Sequence, residues 1–253
     1  MPSPAHVSDA AYCYDGSYAG FLCCIFESYT RREIPSAVLG PAEGQITLFG
    51  TEAIATDPTH ARRVANGLTR LGPMVRERVM TGFLSTEEEK DLILLRFVRR
   101  CFDEGPRAVQ MLGDPDVHAA FVLERNVNNE VCRFIEFIRF EEKDGMLGSV
   151  IHPKNNVLPL LRGHFCSRLP DEDFLIFDAA HGTALLRQSG HVQYLAMEHY
   201  EPARDADELN WQALWKRFFH ALTIEELRNA KAQMNHAPKR FWGGMVEMRE
   251  PYI

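Results

Sequence analysis

Apolar residues at helical spacing dominate the first half of the chain. The clearest run is Tyr18, Phe21, Leu22, Ile25 and Tyr29. Residues three and four positions apart lie on one face of a helix, so this run predicts an amphipathic helix. Proline near helix starts and glycine beyond helix ends predict further helices. They run from Asp57 to Leu71, from just after Ser85 to Gly105, and from Asp114 to about Glu130.

The pattern changes after about residue 131, where strand-like runs separated by turn residues replace the helical spacing. The predicted strands cover 134–142, 146–151, 174–177, 183–187 and 192–197. One helix, from Val157 to Phe165, interrupts them and gives the order β-β-α-β-β-β. We interpret this order as an antiparallel sheet with one crossing helix. Two C-terminal helices follow, and the first carries an apolar stripe made of Trp211, Leu214, Trp215, Phe218 and Leu222.

These elements predict an α+β fold. Residues 1–130 would form a mostly helical N-terminal part, with a short strand over 12–14 and a hairpin around Gly50. Residues 131–253 would form the antiparallel sheet with its closing helices. A chain of 253 residues that is 45% hydrophobic can bury a large core. We expect the two parts to make one compact unit.

The stretch 150–186 carries the least ordinary polar residues, which are His152, Asn155, Asn156, His164, Arg168, Asp178 and His181. Asn155 or Asn156 is predicted to cap the crossing helix, because a short amide accepts a bond from an orphan N–H group. Asp178 directly follows an apolar strand. A carboxylate at that position must be solvated, paired or functional, because burying it alone is costly.

Charge and composition narrow the function classes. Net charge is −7, which argues against broad, non-specific binding of phosphate. Residues 211–253 nevertheless carry seven Lys and Arg against four Glu, so a basic tail follows an acidic body. No apolar run approaches the ~20 residues that span a bilayer. The start of the chain lacks a signal-peptide pattern, so we expect a cytoplasmic protein.

Motifs for cofactors and metals are absent from the sequence. It contains no G-x-G-x-x-G, P-loop, H-E-x-x-H or G-x-S-x-G motif, and its six cysteines form no C-x-x-C pair. We therefore predict reduced thiols, no bound cofactor and no metal. Several histidines crowd the sheet region, and a metal site there would require them to converge with Asp178. Solvated or hydrogen-bonded structural histidines are the favoured interpretation.

Two sets of residues are candidates for chemistry. His164 and Asp178 could form an acid–base pair, with structural hydrogen bonding as the alternative. Arg133 and Arg139, which are interleaved with aromatic residues, could hold phosphates and stack bases, or could form ordinary ion pairs with Glu136 or its neighbours. The tail residues Lys239, Arg240 and Trp242 could contact nucleic acid or a partner protein. Alternatively, Phe241 and Trp242 could pack over the core and leave the charges in water.

The chain also resembles a bacterial family described only as probable DNA metabolism proteins. The resemblance is carried by the segments 14–22, 130–140, 157–178, 211–215, 228–229 and 238–242. The middle segment includes Arg168, which completes the set of nucleic-acid contact candidates. The sequence departs from the family pattern at Asn155–Asn156, where His-Asp is expected, and around Ala180–Gly182, where arginine is expected.

This resemblance implies a link to a putative DNA modification or repair protein of the radical S-adenosylmethionine class. A similar domain occurs joined to uracil-DNA glycosylase domains. The leading hypothesis is an accessory protein of DNA repair or modification that binds nucleic acid, that radical enzyme, or both. One alternative is a nucleic-acid-processing enzyme that uses His164 and Asp178. A second alternative is a structural subunit that makes no contact with DNA or RNA.

Overall fold

The computed structural model describes residues 6–41, 50–201, 206–224 and 229–248. The chain divides into two compact units, Met1–Asn128 and Asn129–Ile253. The boundary between them falls within one long helix, Pro115–Phe137.

The first unit is mainly helical. Its helices are α1 (Tyr18–Thr30), α2 (Pro58–Leu71), α3 (Pro73–Phe83), α4 (Lys90–Glu104), a 3₁₀ helix (Pro106–Gln110) and the start of α5 (Pro115–Phe137). Side chains cap the first two helices, since the Gly20 N–H donates to Ser17 Oγ and the Thr59 N–H donates to Asp57 Oδ1. Helix α3 was not predicted, because Gly72–Pro73 was interpreted only as the end of α2.

Short parallel strands complete this unit. They are β1 (His6–Val7), β2 (Ala11–Cys13), β3 (Glu33–Ile34), β4 (Ala37–Leu39) and β5 (Thr51–Ala53). β2 lies between β4 and β5 and runs parallel to both, while β1 pairs with β3. The predicted strand over 12–14 is thus confirmed. The first half of the predicted hairpin around Gly50 falls on 46–49, outside the described residues.

The second unit contains the rest of α5 and a five-stranded sheet. Its elements are β6 (Glu141–Lys143), β7 (Met146–Ile151), α6 (Leu158–Arg168), β8 (Asp173–Asp178), β9 (Thr183–Gln188), β10 (His191–Ala196), α7 (Ala206–Leu222), α8 (Ala230–His236) and two 3₁₀ helices (Lys239–Gly244 and Val246–Met248). The strand order is β10-β9-β8-β7-β6. β8 is central, and its apolar residues Phe174–Phe177 are all buried, as the uninterrupted apolar run predicted.

The α+β class is confirmed, but the sheet is mixed rather than antiparallel. β7 and β8 run parallel, with Met146 opposite Asp173 and Ile151 opposite Asp178. The three other pairings are antiparallel. The cause is α6, because a helical crossover returns the chain to the same end of the sheet and lets the next strand run in the same direction.

The predicted strand over 134–142 is also wrong for most of its length. Helix α5 continues to Phe137, and strand β6 begins only at Glu141. The buried residues Val127, Val131, Phe134 and Ile138 recur at three- and four-residue spacing, so the run has a helical period. The run is rich in aromatic residues and isoleucine, which favour strands, and this composition masked the longer period.

The turns between strands agree with the sequence. Asp144 and Gly145 both have positive φ (51° and 75°) in the β6–β7 hairpin. Ser189 and Gly190 repeat this geometry (50° and 78°) between β9 and β10. Paired positive φ values are typical of the tight turns that match strand twist. The predicted hairpins at these two sites are therefore confirmed.

Candidate nucleic-acid site

A cavity of about 370 Å³ lies in the second unit beside the last turn of α5 and strand β7. Its lining is Phe134, Phe137, Ile138, Arg139, Glu141, Gly148–His152, Arg240, Phe241, Gly243 and Gly244. We call it the arginine cavity, because Arg139 and Arg240 come to it from parts of the chain that are far apart in sequence. Both residues were candidates from sequence, and the structure brings them together.

Local structure holds each guanidinium in place. Arg139 donates to the carbonyls of Glu136 and Ile138, both at 3.2 Å, as the chain leaves α5. Arg240 lies on the 3₁₀ helix Lys239–Gly244, with its guanidinium carbon 4.7 Å from the centroid of the Phe241 ring. It is 53% exposed on its side chain. A guanidinium carries five N–H donors, so these contacts leave donors for a ligand.

Glu130 anchors Arg240 and was not a candidate from sequence. Its carboxylate is only 2% exposed and lies 3.3 Å from Arg240 Nη1. It also accepts from the Lys154 N–H (2.9 Å), the Asn155 N–H (2.8 Å) and Asn155 Nδ2 (2.7 Å). Asn155 therefore does not cap α6 as predicted, and the cap position of that helix is Val157. Glu130 could have been recognised in the sequence as a carboxylate on the apolar face of a predicted helix, three residues after Val127.

Aromatic rings form one wall of the cavity. Phe241 is buried, and its ring packs edge-on against the Phe134 ring, with centroids 5.0 Å apart. It also packs at a tilt against the Phe137 ring, with centroids 5.8 Å apart. The indole N–H of Trp242 donates to the Ala237 carbonyl at 2.7 Å. The alternative that the aromatic tail residues pack inward is therefore the observed arrangement, while Lys239 and Arg240 remain exposed.

Two buried polar side chains, Glu141 and Ser149, complete the lining and were not predicted. Glu141 is 5% exposed and Ser149 is 4% exposed. Glu141 begins β6 and is the register partner of Gly148 on β7. Ser149 follows Gly148 on β7, so its side chain points to the opposite face of the sheet from that of Glu141.

Asp178 pairs with His181. Its carboxylate is fully buried and accepts from the Ala180 N–H (3.0 Å) and the His181 N–H (3.1 Å), and Asp178 Oδ2 lies 2.6 Å from His181 Nδ1. The hydrogen bond to Asp178 raises the pKa of His181 most strongly, and burial opposes it. The Glu130 charge and a hydrogen bond with the Lys154 backbone add to the increase in this pKa.

The predicted pairing of His164 with Asp178 is wrong. In the described residues no hydrogen bond joins them, and the His164 ring lies edge-on to Phe165 with centroids 5.0 Å apart. His164 Nε2 is buried without a hydrogen-bond partner. His164 contacts the apolar residue Phe165 on α6. Asp178 lies at the end of β8, where its carboxylate accepts hydrogen bonds from the turn that follows. His181 holds that turn to the loop at Lys154.

The other candidate residues lie away from the cavity lining. Arg133 pairs with Glu136 at 3.1 Å and donates to the His236 carbonyl at 2.8 Å, which is the ion-pair alternative considered from sequence. Arg168 is exposed in the last turn of α6. Lys239 Nζ lies 5.9 Å from the Trp242 ring centroid. These residues can extend a binding surface but do not line the cavity.

The described part of the chain holds neither a metal-site cluster nor a membrane-spanning helix. No three His, Cys, Asp or Glu side chains converge there as a metal site. In the same residues, no helix combines the length and the apolar character that crossing a membrane requires. All six cysteines are free thiols, and burial raises the pKa of Cys101 to about 12.

Comparison with known proteins identifies a family but no characterised relative. Neither the curated proteins nor the solved structures gave a match to the chain. A family model described as a domain of unknown function, DUF4130, matches residues 88–247, which is more than half of the chain and includes every residue of the arginine cavity. The chain therefore belongs to the DUF4130 family.

Proposed function

We propose that the protein is an accessory factor of DNA repair or modification that binds single-stranded nucleic acid at the arginine cavity. We also propose that it works with an enzyme of the radical S-adenosylmethionine class. The observation that carries the first proposal is the convergence of Arg139 and Arg240 on one cavity. The second proposal rests on the family resemblance described above.

The composition of the cavity suits a nucleotide. Two guanidinium groups offer bidentate donors to phosphate oxygens, a geometry that Arg provides better than Lys. The buried aromatic wall offers apolar surface for a base. Its volume of about 370 Å³ lies at the lower end of the range for small-ligand pockets. A single strand fits this arrangement better than a duplex, because a base that is stacked and paired inside a duplex cannot be inserted into a cavity.

The net charge of −7 is compatible with such a site. An acidic surface repels nucleic acid at long range, so binding depends on short-range contacts in one place. This supports recognition of a strand end, gap or loop rather than coating of long strands.

The partner proposal has one further support from the sequence. The C-x-x-x-C-x-x-C pattern that binds the iron–sulfur cluster of radical S-adenosylmethionine enzymes is absent from this chain. Any radical chemistry in such a system would therefore be done by the partner. Co-purification of the two proteins, with and without single-stranded DNA, tests this association.

Fluorescence anisotropy with single-stranded DNA, duplex DNA and structured RNA at several salt concentrations tests nucleic-acid binding. We expect single strands to bind most tightly. Arg139→Gln should weaken binding and reduce the slope of log affinity against log salt by about 0.7, the value for one lost phosphate contact on a single strand. Arg107→Gln removes the same charge from an exposed arginine of the first unit that does not line the cavity, and it should change neither quantity. Absence of binding at low salt would overturn the proposal.

The enzymatic alternative receives no support from the geometry of the described residues. Asp178 is fully buried, its Oδ1 accepts two backbone N–H groups, and its Oδ2 lies 2.6 Å from His181 Nδ1. A general base needs an available nitrogen directed at a substrate proton. His181 is better described as a positioning residue that holds the loop to which Glu130 and Arg240 are attached.

A further inference from the structure

We propose that the arginine cavity selects a nucleotide whose base carries an exocyclic amino group, and that Glu141 is the residue that reads it. This inference rests on the proposed nucleic-acid binding and names its preferred substrate. Among pyrimidines, cytosine would be favoured over uracil.

The backbone between α5 and β6 places a cation and an anion on the same wall. Arg139 and Glu141 are two residues apart and both line the cavity. Phe140, between them, packs in the other direction against Phe165 and Phe174, with centroids 5.5 and 6.1 Å apart. Alternate residues of an extended segment point to opposite sides, which explains this division. A ligand in the cavity therefore meets a donor for phosphate and an acceptor close together.

Glu141 is suited to accept from an amino group. An ionised carboxylate is acceptor-only, with about four lone-pair sites, so it can bond a ligand in addition to any protein partner. Because the residue is 5% exposed, water competes little for that bond.

Comparing cytosine with uracil isolates the contact to Glu141, because the two bases have nearly the same size and shape. Cytosine presents an N4 amino group, which is the natural donor to Glu or Asp, where uracil presents the O4 acceptor. With uracil, the Glu141 carboxylate would face the O4 oxygen. Both groups accept hydrogen bonds and neither can donate one, so no hydrogen bond would form. A good base contact is worth about 1–3 kcal/mol, which corresponds to roughly 5- to 150-fold in affinity.

The test compares oligo-deoxycytidine with oligo-deoxyuridine of equal length by anisotropy. Wild-type protein should bind the cytosine strand roughly 5- to 150-fold more tightly. Glu141→Gln should reduce that ratio to near one, because an amide can donate to O4 as well as accept from N4. Glu142→Gln is the matched control, since Glu142 is the exposed next residue of the same strand and does not line the cavity. It should keep the wild-type ratio.

The outcomes separate this inference from the proposed function. Equal binding of both strands by the wild-type protein would overturn base selection and leave nucleic-acid binding intact. A ratio that survives in folded Glu141→Gln would overturn the assignment to Glu141. Failure of every oligonucleotide to bind would remove the proposed function and this inference together. The wild-type comparison needs no variant, so misfolding of Glu141→Gln would not prevent a decision.

Discussion

Arg240 Nη1 lies 3.3 Å from Glu130 Oε1, and this contact joins an exposed cation to a carboxylate that is almost completely buried. The two residues are 110 positions apart in the numbering of the chain. Glu130 is also bonded by the backbone of Lys154 and by Asn155. The pair therefore ties the last turns of α5, the loop after β7 and the C-terminal 3₁₀ helix into one arrangement around the cavity.

Removing the Glu130 carboxylate should destabilise the second unit strongly. Glu130→Ala removes the carboxylate that accepts from the Lys154 N–H, the Asn155 N–H and the Asn155 amide, and that pairs with Arg240. We expect a loss of about 3–5 kcal/mol in the free energy of unfolding, measured by urea denaturation. Glu130→Gln keeps an acceptor oxygen and should cost less, about 1–3 kcal/mol. Equal and small losses for both variants would show that the carboxylate is not needed.

The Asp178–His181 pair should make stability depend on pH. The pKa of His181 is raised in the folded protein, mainly by Asp178, with Glu130 also contributing. Because folding raises this pKa, protonated His181 stabilises the folded protein fully at pH values below its unfolded pKa of about 6.5. This stabilisation is lost as the pH rises through the pKa of His181 in the folded protein. Urea denaturation between about pH 5.5 and 8.5 should show this decline for the wild-type protein.

His181→Gln should remove most of that decline, while His191→Gln, at an exposed position in β10, should retain it. A wild-type stability that rises across the same pH interval, after subtraction of the His181→Gln curve, would contradict the assigned direction of the pKa shift.

Gly148 is required by a close approach of Tyr200. A Cβ atom at position 148 would lie 2.0 Å from the Tyr200 hydroxyl oxygen and 3.0 Å from the ring carbon that carries it. Gly148→Ala should therefore cost about 1–3 kcal/mol through overpacking, measured by thermal or urea unfolding. Combining it with Tyr200→Phe removes the nearest atom and should recover part of the loss.

Gly163 provides the control, because it lies inside α6 and nothing within 4 Å would meet its Cβ atom. Gly163→Ala should stabilise the protein by about 0.5–1 kcal/mol. If Gly148→Ala were as harmless as Gly163→Ala, the close approach of Tyr200 would be disproved.

Arg78 is a buried cation that organises the helices of the first unit. It is 6% exposed, its Nε donates to Glu124 at 2.7 Å, and its Nη1 donates to the Val109 carbonyl at 2.8 Å. Breaking a buried ion pair from one side leaves an uncompensated charge, so Arg78→Gln should cost about 3–5 kcal/mol. Arg76→Gln, exposed on the same helix, should stay within about 0.5 kcal/mol of wild type in the same urea titration.

The sequence predicted elements well where the periodicity was long and the turn residues were explicit. Helix α1, the capped helix α2 and the tight turns at Asp144–Gly145 and Ser189–Gly190 all follow local rules. The direction of β8 relative to β7 could not be predicted from local pattern, because it depends on how the crossover helix returns the chain. The helical end of α5 was missed because a short run rich in phenylalanine and isoleucine has the composition of a strand.

The candidate site was only partly accessible to sequence reasoning. Arg139 and Arg240 were named from their aromatic neighbours, but nothing local showed that they share a cavity. Glu130, Glu141 and Ser149 were missed, because a buried polar residue is recognised only when its distant partners are known. Nothing in the sequence indicated the distance between His164 and Asp178, and in the structure Asp178 contacts His181, three residues later in the turn after β8.

Photocross-linking tests the central claim most directly, because it locates bound nucleic acid without changing the protein. A single strand containing 5-iodocytosine is irradiated in complex with the wild-type protein, and the cross-linked peptides are identified by mass spectrometry. We predict cross-links to the aromatic wall, in peptides that contain Phe134, Phe137 or Phe241. Cross-links confined to peptides outside 130–152 and 238–245 would contradict the assignment of nucleic-acid binding to the arginine cavity.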